Sequence, residues 1–152
     1  MLPTAQAEGK EREKEMKTGL ILEGGAMRGM FSAGVMDVMM ENGIRFDGII
    51  GVSAGAAFGV NYKSGQIGRA IRYNAKYCRD KRYCGVGSLL KTGNLFNTEF
   101  CYGEVPLKLD VFDFDTYEKD PTAFYVTCTD IESGKPVYHE YTGRNDHGFD
   151  WI

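Results

Sequence analysis

The pentapeptide Gly51-Val52-Ser53-Ala54-Gly55 is the stretch whose residue types and spacing point most directly to chemistry. It has the form G-x-S-x-G, preceded by an apolar run and followed by small residues, as a serine on a sharp strand-to-helix turn requires. Flanking glycines let backbone segments approach closely there, so that the hydroxyl is held exposed at the strand end. Ser53 is therefore the candidate nucleophile for acyl transfer. The helix opening beside it would aim free N–H groups and the positive end of its dipole at the reacting centre.

An acyl-transfer serine also needs donors for the oxyanion of the tetrahedral intermediate, and losing one typically costs about 10²- to 10³-fold in rate. Gly24, Gly25 and Ala26 can supply them, because little or no side chain shields their N–H groups. The run Gly24-Gly25-Ala26-Met27-Arg28-Gly29 also invites comparison with a dinucleotide fingerprint. Against that, Ala26 stands at its second glycine position, and the following strand ends in Gly51-Val52-Ser53 where an acidic residue should meet a ribose.

A serine nucleophile needs a base. His139 and His147 both follow Ser53, and Asp130 or Asp146 is available to orient one of them. Ser53, Asp130 and His139 thus reproduce the chain order of an α/β-hydrolase triad. His147 stands among Arg144, Asn145, Asp146 and Gly148, a composition that reads as solvated loop. A separate candidate is the row Arg69, Arg72, Lys76 and Arg79 at helical spacing. That row would suit anionic lipid head groups, or would simply be a solvated face. The acidic Asp110, Asp113, Asp115, Glu118 and Asp120 would either pair with that row or simply face water.

These residues must be held by a framework. Residues 18–22 and 46–52 read as short buried strands, each ending in a glycine turn. Residues 30–42 read as a helix closed by Asn42-Gly43, and residues 54–62 as a second helix rich in small side chains. Two successive strand-turn-helix units imply parallel strands joined by right-handed crossovers. Residues 66–82 are expected to form one further helix. Residues 110–120 read as loop plus a short element, while 122–129 and 136–141 read as strands joined through a turn at Gly134. Residues 91–102 give no clear pattern.

Composition narrows the class. The 152 residues leave room for one domain, and 20 glycines are well above the usual ~7%. A formal charge of −3, from 18 basic and 21 acidic side chains, gives no footprint for nucleic acid. No apolar run approaches the ~18 residues of a membrane span, and the charged N-terminus is unlike a signal peptide, so a cytoplasmic protein is expected. Cys78, Cys84, Cys101 and Cys128 form no C-x-x-C pair and no zinc spacing, and are expected as reduced thiols. Residues 1–16 are rich in Glu and Lys, and are expected to be a disordered leader or a mis-assigned start at which Met16 is the true beginning.

The run Leu22-Glu23-Gly24-Gly25-Ala26-Met27-Arg28-Gly29, followed by helix, strand and Gly51-Val52-Ser53-Ala54-Gly55, resembles the opening of a patatin-like phospholipase domain. The motif-bearing part of the resemblance covers residues 17 to about 62. It implies an α/β protein with three α/β/α layers and a mainly parallel sheet, and hydrolysis of lipid acyl esters by a Ser-Asp dyad without histidine. No metal or organic cofactor is implied. Ser53 becomes the nucleophile and Gly24, Gly25 and Ala26 the oxyanion loop, with Met27, Arg28 and Gly29 completing its signature. Ala26 departs from the third glycine of many members. More seriously, the family's aspartate lies in Asp-Gly-Gly or Asp-Gly-Ala, and this sequence has neither; its sole Asp-Gly, Asp47-Gly48, sits at the wrong end of its strand. Residues 17–152 are accordingly expected to be a C-terminally incomplete domain with little activity of its own. A non-catalytic lipid- or anion-binding remnant is the expectation from a different class.

Overall fold

The computed structural model describes residues 16–152, so the leader expected over 1–16 falls, Met16 apart, outside the described residues. Four strands make one sheet in the order β1-β2-β3-β4: Gly19–Leu22, Gly48–Val52, Ala123–Thr129 and Pro136–Glu140. β1 and β2 are parallel, as are β2 and β3, while β4 returns antiparallel to β3. The return needs a residue in the left-handed region, and Gly134 supplies it at φ 67. The α/β class with a mainly parallel sheet is thus the one observed.

The β1 to β2 crossover runs through α1, Gly29–Glu41. It stops where expected: the Asn42 side chain donates to the Val38 carbonyl at 2.8 Å, and Gly43 turns the chain at φ 68. Helix α2, Ala54–Lys63, follows β2 and lies across β1, β2 and β3. Its glycines make that approach possible, for a Cβ at Gly59 would fall 2.7 Å from Leu22 Cδ1. Leu22, Ile49, Phe124 and Val126 meet Ala56, Phe58 and Val60 in the main core. The opposite sheet face presents Ile21 and Tyr138 largely to solvent.

The remaining helices are α3, Arg69–Tyr77; α4, Val86–Thr92; and α5, Phe114–Lys119. Asp113 caps α5 by accepting from the Thr116 N–H at 2.9 Å. A wide π-type helix, Glu99–Leu109, contains Pro106 and occupies a stretch that sequence patterning leaves unassigned.

Two expectations fail here. The helix expected over 66–82 is cut to α3, because Tyr77 and Tyr83 both enter a second small core with Phe100 and Val105, and the chain must turn between them. The basic row fails with it. Arg69 is 3% exposed and Arg79 lies beyond the helix. Arg69 Nη1 donates to Asn61 Oδ1 at 2.8 Å and its Nε to the Asp110 carbonyl at 3.1 Å. Arg72 grips the Asp110 carboxylate with two hydrogen bonds of 2.8 Å. Arg69 and Arg72 therefore clamp the acidic segment to α3, and the four cations share no outward face.

Candidate active site

Ser53 occupies the turn between β2 and α2 at φ 51, ψ −119, in the region of positive φ that a non-glycine residue adopts at a cost of about 1–3 kcal/mol. The strain is enforced by packing. A Cβ at Gly51 would fall 2.6 Å from the N and Cα of Ala56, so the first turn of α2 folds directly onto the end of β2. The Ser53 carbonyl accepts from Ala56 and Ala57 N–H at 2.9 and 3.0 Å. That leaves the N–H groups of Ala54 and Gly55 without intrahelical acceptors. Ser53 itself is exposed, and among the described residues its hydroxyl makes no hydrogen bond.

The glycine loop after β1 reaches the same point, because β1 and β2 are parallel neighbours with Leu22 opposite Gly51. The Cβ position of Gly24 is 3.2 Å from Ser53 Cβ and 3.8 Å from Ser53 Oγ. Among the described residues, the N–H groups of Gly24, Gly25 and Ala26 donate to no backbone acceptor. A 3₁₀ turn, Ala26–Arg28, then leads into α1, with Ala26 at φ 47. Arg28 folds back beside the loop, its Nε 4.0 Å from the Cβ position of Gly25. Gly29 lets α1 start against α2, where an added Cβ would meet Phe58 at 2.9 Å.

Ser53 opens into a cavity of about 180 Å³ walled by Ala26, Met27, Ala54, Phe58, Tyr73 and Phe96, among others. Burial pushes the Tyr73 phenol up to about 12, so it is a neutral wall at ordinary pH. These walls were not foreseen. For Ala57 and Phe58 a signal existed, since they lie three and four residues after Ala54 and so share its helix face. Tyr73, Tyr83, Phe96 and Tyr102 come from segments remote in sequence and carry no such sign.

No Asp, Glu or His of the described residues lines this cavity. His139 is on β4, two strands from β2, opposite Val126. Its Nε2 meets Asp146 Oδ2 at 2.7 Å, and its ring stacks on Trp151 at 3.8 Å between centroids. Asp130 is spent in the β3–β4 turn, where its carboxylate accepts from Glu132 N–H and Ser133 Oγ. His147 is an exposed residue at φ 55. The structure thus brings Ser53 together with the glycine loop, and leaves the histidines and Asp130 elsewhere. Among the described residues, no cluster of three or more His, Cys, Asp and Glu could hold a metal ion, and no helix is long and apolar enough to cross a membrane.

The model of the patatin-like phospholipase family matches residues 20–150. The chain belongs to the patatin-like phospholipase family. The match reaches far beyond residue 62, where the motif-bearing resemblance ends. Within the patatin-like family model it takes in β3, β4 and the segments that wall the cavity. The chain is also similar to the uncharacterized protein YjjU of Escherichia coli strain K12, at 29% identity over 136 residues. That alignment takes in 85% of this chain and 37% of the YjjU chain, so the 152 residues match a minor part of that relative.

Proposed function

We propose that this chain carries the nucleophile and oxyanion half of a serine lipid acyl hydrolase. The observation that supports it is the contact between two turns: Ser53, at its strained φ, has its Cβ 3.2 Å from the Cβ position of Gly24. A carbonyl carbon placed against Ser53 Oγ would present its oxygen to the N–H groups of Gly24, Gly25 and Ala26 and to the start of α2. In the first step the Oγ–H bond breaks, its proton passes to a base, and an Oγ–C bond forms. Collapse expels the alcohol with a proton, and water then releases the acid by the reverse sequence.

The base is the part these 152 residues do not supply. We assign it to an aspartate of the family's Asp-Gly-Gly or Asp-Gly-Ala type, absent from this sequence. Without it, oxyanion and binding assistance remain, worth about 10³- to 10⁴-fold over water in other serine hydrolases. The substrate reading is an ester of a lipid acid, its acyl chain lying against Met27, Phe58 and Phe96. A second reading, lipid or anion binding without turnover, draws on the lack of any Asp, Glu or His in the cavity wall among the described residues.

The test is labelling by a fluorophosphonate probe with p-nitrophenyl butyrate hydrolysis, in the wild type and in Ser53→Ala. Slow turnover and labelling that both vanish in the variant support the nucleophile. Turnover at the level of a complete serine hydrolase would overturn the missing base. Activity that survives in Ser53→Ala would remove Ser53 from its role.

A further inference from the structure

Between Tyr83 and Asn97 the chain leaves the body of the protein and returns to it. The base of this excursion is closed by backbone hydrogen bonds, from Gly85 N–H to Leu95 O at 3.0 Å and from Asn97 N–H to Tyr83 O at 3.1 Å, around a bridge between Cys84 and Phe96. Helix α4, Val86–Thr92, forms its tip. The helix is turned inside out relative to a water-facing one. Its single buried residue is Ser88, whose hydroxyl donates to the Asn94 carbonyl at 2.8 Å. Its apolar side chains point outward: Val86 is 69% exposed, Leu90 82% and Leu89 46%, with Leu95 at 51% just beyond. An amphipathic helix in water buries these and exposes the serine.

Within the excursion the one charged side chain is Lys91, and the acidic residues Asp80 and Glu99 stand just outside it in sequence. Residues 81–98 include Lys81, Arg82 and Lys91 and no Asp or Glu. Arg82 is engaged by Asp80 and, at 3.6 Å, by Glu104, whereas Lys81, Lys91 and the adjacent Arg79 are exposed and have no ion-pair partner among the described residues. The same excursion forms part of the Ser53 cavity, since Tyr83 and Phe96 at its base both line it and stack edge-to-face at 5.8 Å. Helix α1, whose exposed apolar side chains include Phe31 and Val38, carries Asp37 and Glu41 and no Lys or Arg of its own.

We propose that the 83–97 excursion docks on an anionic lipid surface, with Val86, Leu89 and Leu90 entering the interface and Lys81, Lys91 and Arg79 meeting the head groups. Leu95 and Phe96 then lie where an acyl chain leaving the lipid would pass toward the cavity. That last role rests on Ser53 being the acyl-hydrolase nucleophile; the docking itself does not. Outward apolar side chains with unpaired cations close by in sequence are what an interfacial segment needs.

The experiment is co-sedimentation of the 152-residue chain with phosphatidylcholine vesicles and with the same vesicles containing phosphatidylglycerol. Binding is expected to the anionic vesicles, to weaken as salt rises, and to persist in Ser53→Ala. The double variant Leu89→Ser/Leu90→Ser should bind at least tenfold more weakly, and Lys81→Gln and Lys91→Gln about fivefold more weakly each. Val38→Ser on α1 should bind as the wild type does, with circular dichroism checking that each variant is folded. No binding by the wild type, equal binding by the leucine double variant, or an equal loss in Val38→Ser would each overturn the proposal. So would a dimer that the leucine changes dissociate, since the face would then be covered by a second copy. Vesicle binding without fluorophosphonate labelling of Ser53 would leave docking standing while the nucleophile reading fails, and labelling without vesicle binding would separate them the other way.

Discussion

Gly55 passes so close to Leu22 that a Cβ on the glycine would fall 2.6 Å from the Leu22 carbonyl carbon and 2.8 Å from its Cβ. Backbone cannot retreat there without pulling β1 from the sheet. Gly55→Ala should therefore cost more than the ~1–3 kcal/mol of ordinary overpacking, and no cooperative thermal transition is expected. At Gly24 the nearest atom to an added Cβ is Ser53 Cβ, at 3.2 Å. Gly24→Ala should fold, with Tm close to wild type, while losing fluorophosphonate labelling. Wild-type Tm for Gly55→Ala would show that α2 can shift along the sheet.

Ala26 adopts φ 47, where an L side chain costs about 1–2 kcal/mol. Ala26→Gly removes that cost and adds the chain entropy of a glycine, about 0.5–1 kcal/mol. The expected outcome is a stability equal to wild type or up to about 1.5 kcal/mol higher in urea unfolding, with labelling of Ser53 retained. Ala33, buried within α1, is the comparison: there Ala→Gly should lose about 1 kcal/mol or more. A comparable loss at both positions would mean that Ala26 is not held in the left-handed region.

Asp110 joins two arginines of very different exposure. The Arg69 side chain is 4% exposed and the Arg72 side chain 55%. Burial lowers the Arg69 pKa, while the Asp110 hydrogen bonds raise that of Arg72. Asp110→Ala removes the carboxylate paired with the buried guanidinium, which keeps its bonds to Asn61 Oδ1 and to the backbone carbonyl of residue 110, and should cost about 3 kcal/mol, or roughly 10 °C in Tm. Arg72→Ala leaves the buried pair in place and should cost under about 1 kcal/mol. Equal losses from the two changes would contradict the buried position of Arg69.

The centre of the site was legible because its determinants are local. Gly51, Ser53 and Gly55 fix an elbow within five residues, and the apolar runs before Gly24 and Ser53 announce the two strands that bring the turns together. What was not legible depends on contacts remote in sequence. Arg69 has the spacing of a solvated face, and its burial is decided by Asp110, 41 positions away. The end of α3 is decided by a small core that gathers Tyr77, Tyr83 and Phe100. His139 and Asp130 have the right order for a triad, yet strand pairing sets His139 two strands from β2 and a tight turn consumes Asp130. Helix α4 escapes periodicity because it is short and its polarity is reversed.

Alkaline unfolding should report the buried phenols. Tyr73 is pushed up to about 12 by burial, against about 10 in the unfolded chain. The folded state therefore holds this proton more tightly. Its contribution to stability is fully present below pH 10 and is lost as pH rises towards 12. Burial raises Tyr83, Tyr117 and Tyr141 in the same direction. Lys63 runs the other way, since burial lowers its ammonium below 10.5 and the folded state sheds that proton first. Stability gained from Lys63 thus rises with pH up to about 10.5, and one lysine is outweighed by six raised phenols, Tyr62 and Tyr102 among them. Urea midpoints should be level between about pH 7 and pH 9 and fall steeply above pH 10. Tyr73→Phe should reduce that fall by about 2–3 kcal/mol between pH 10 and pH 12. An unchanged fall in the variant would mean that Tyr73 ionises freely in the native state, and that the cavity beside Ser53 is open to water at that wall.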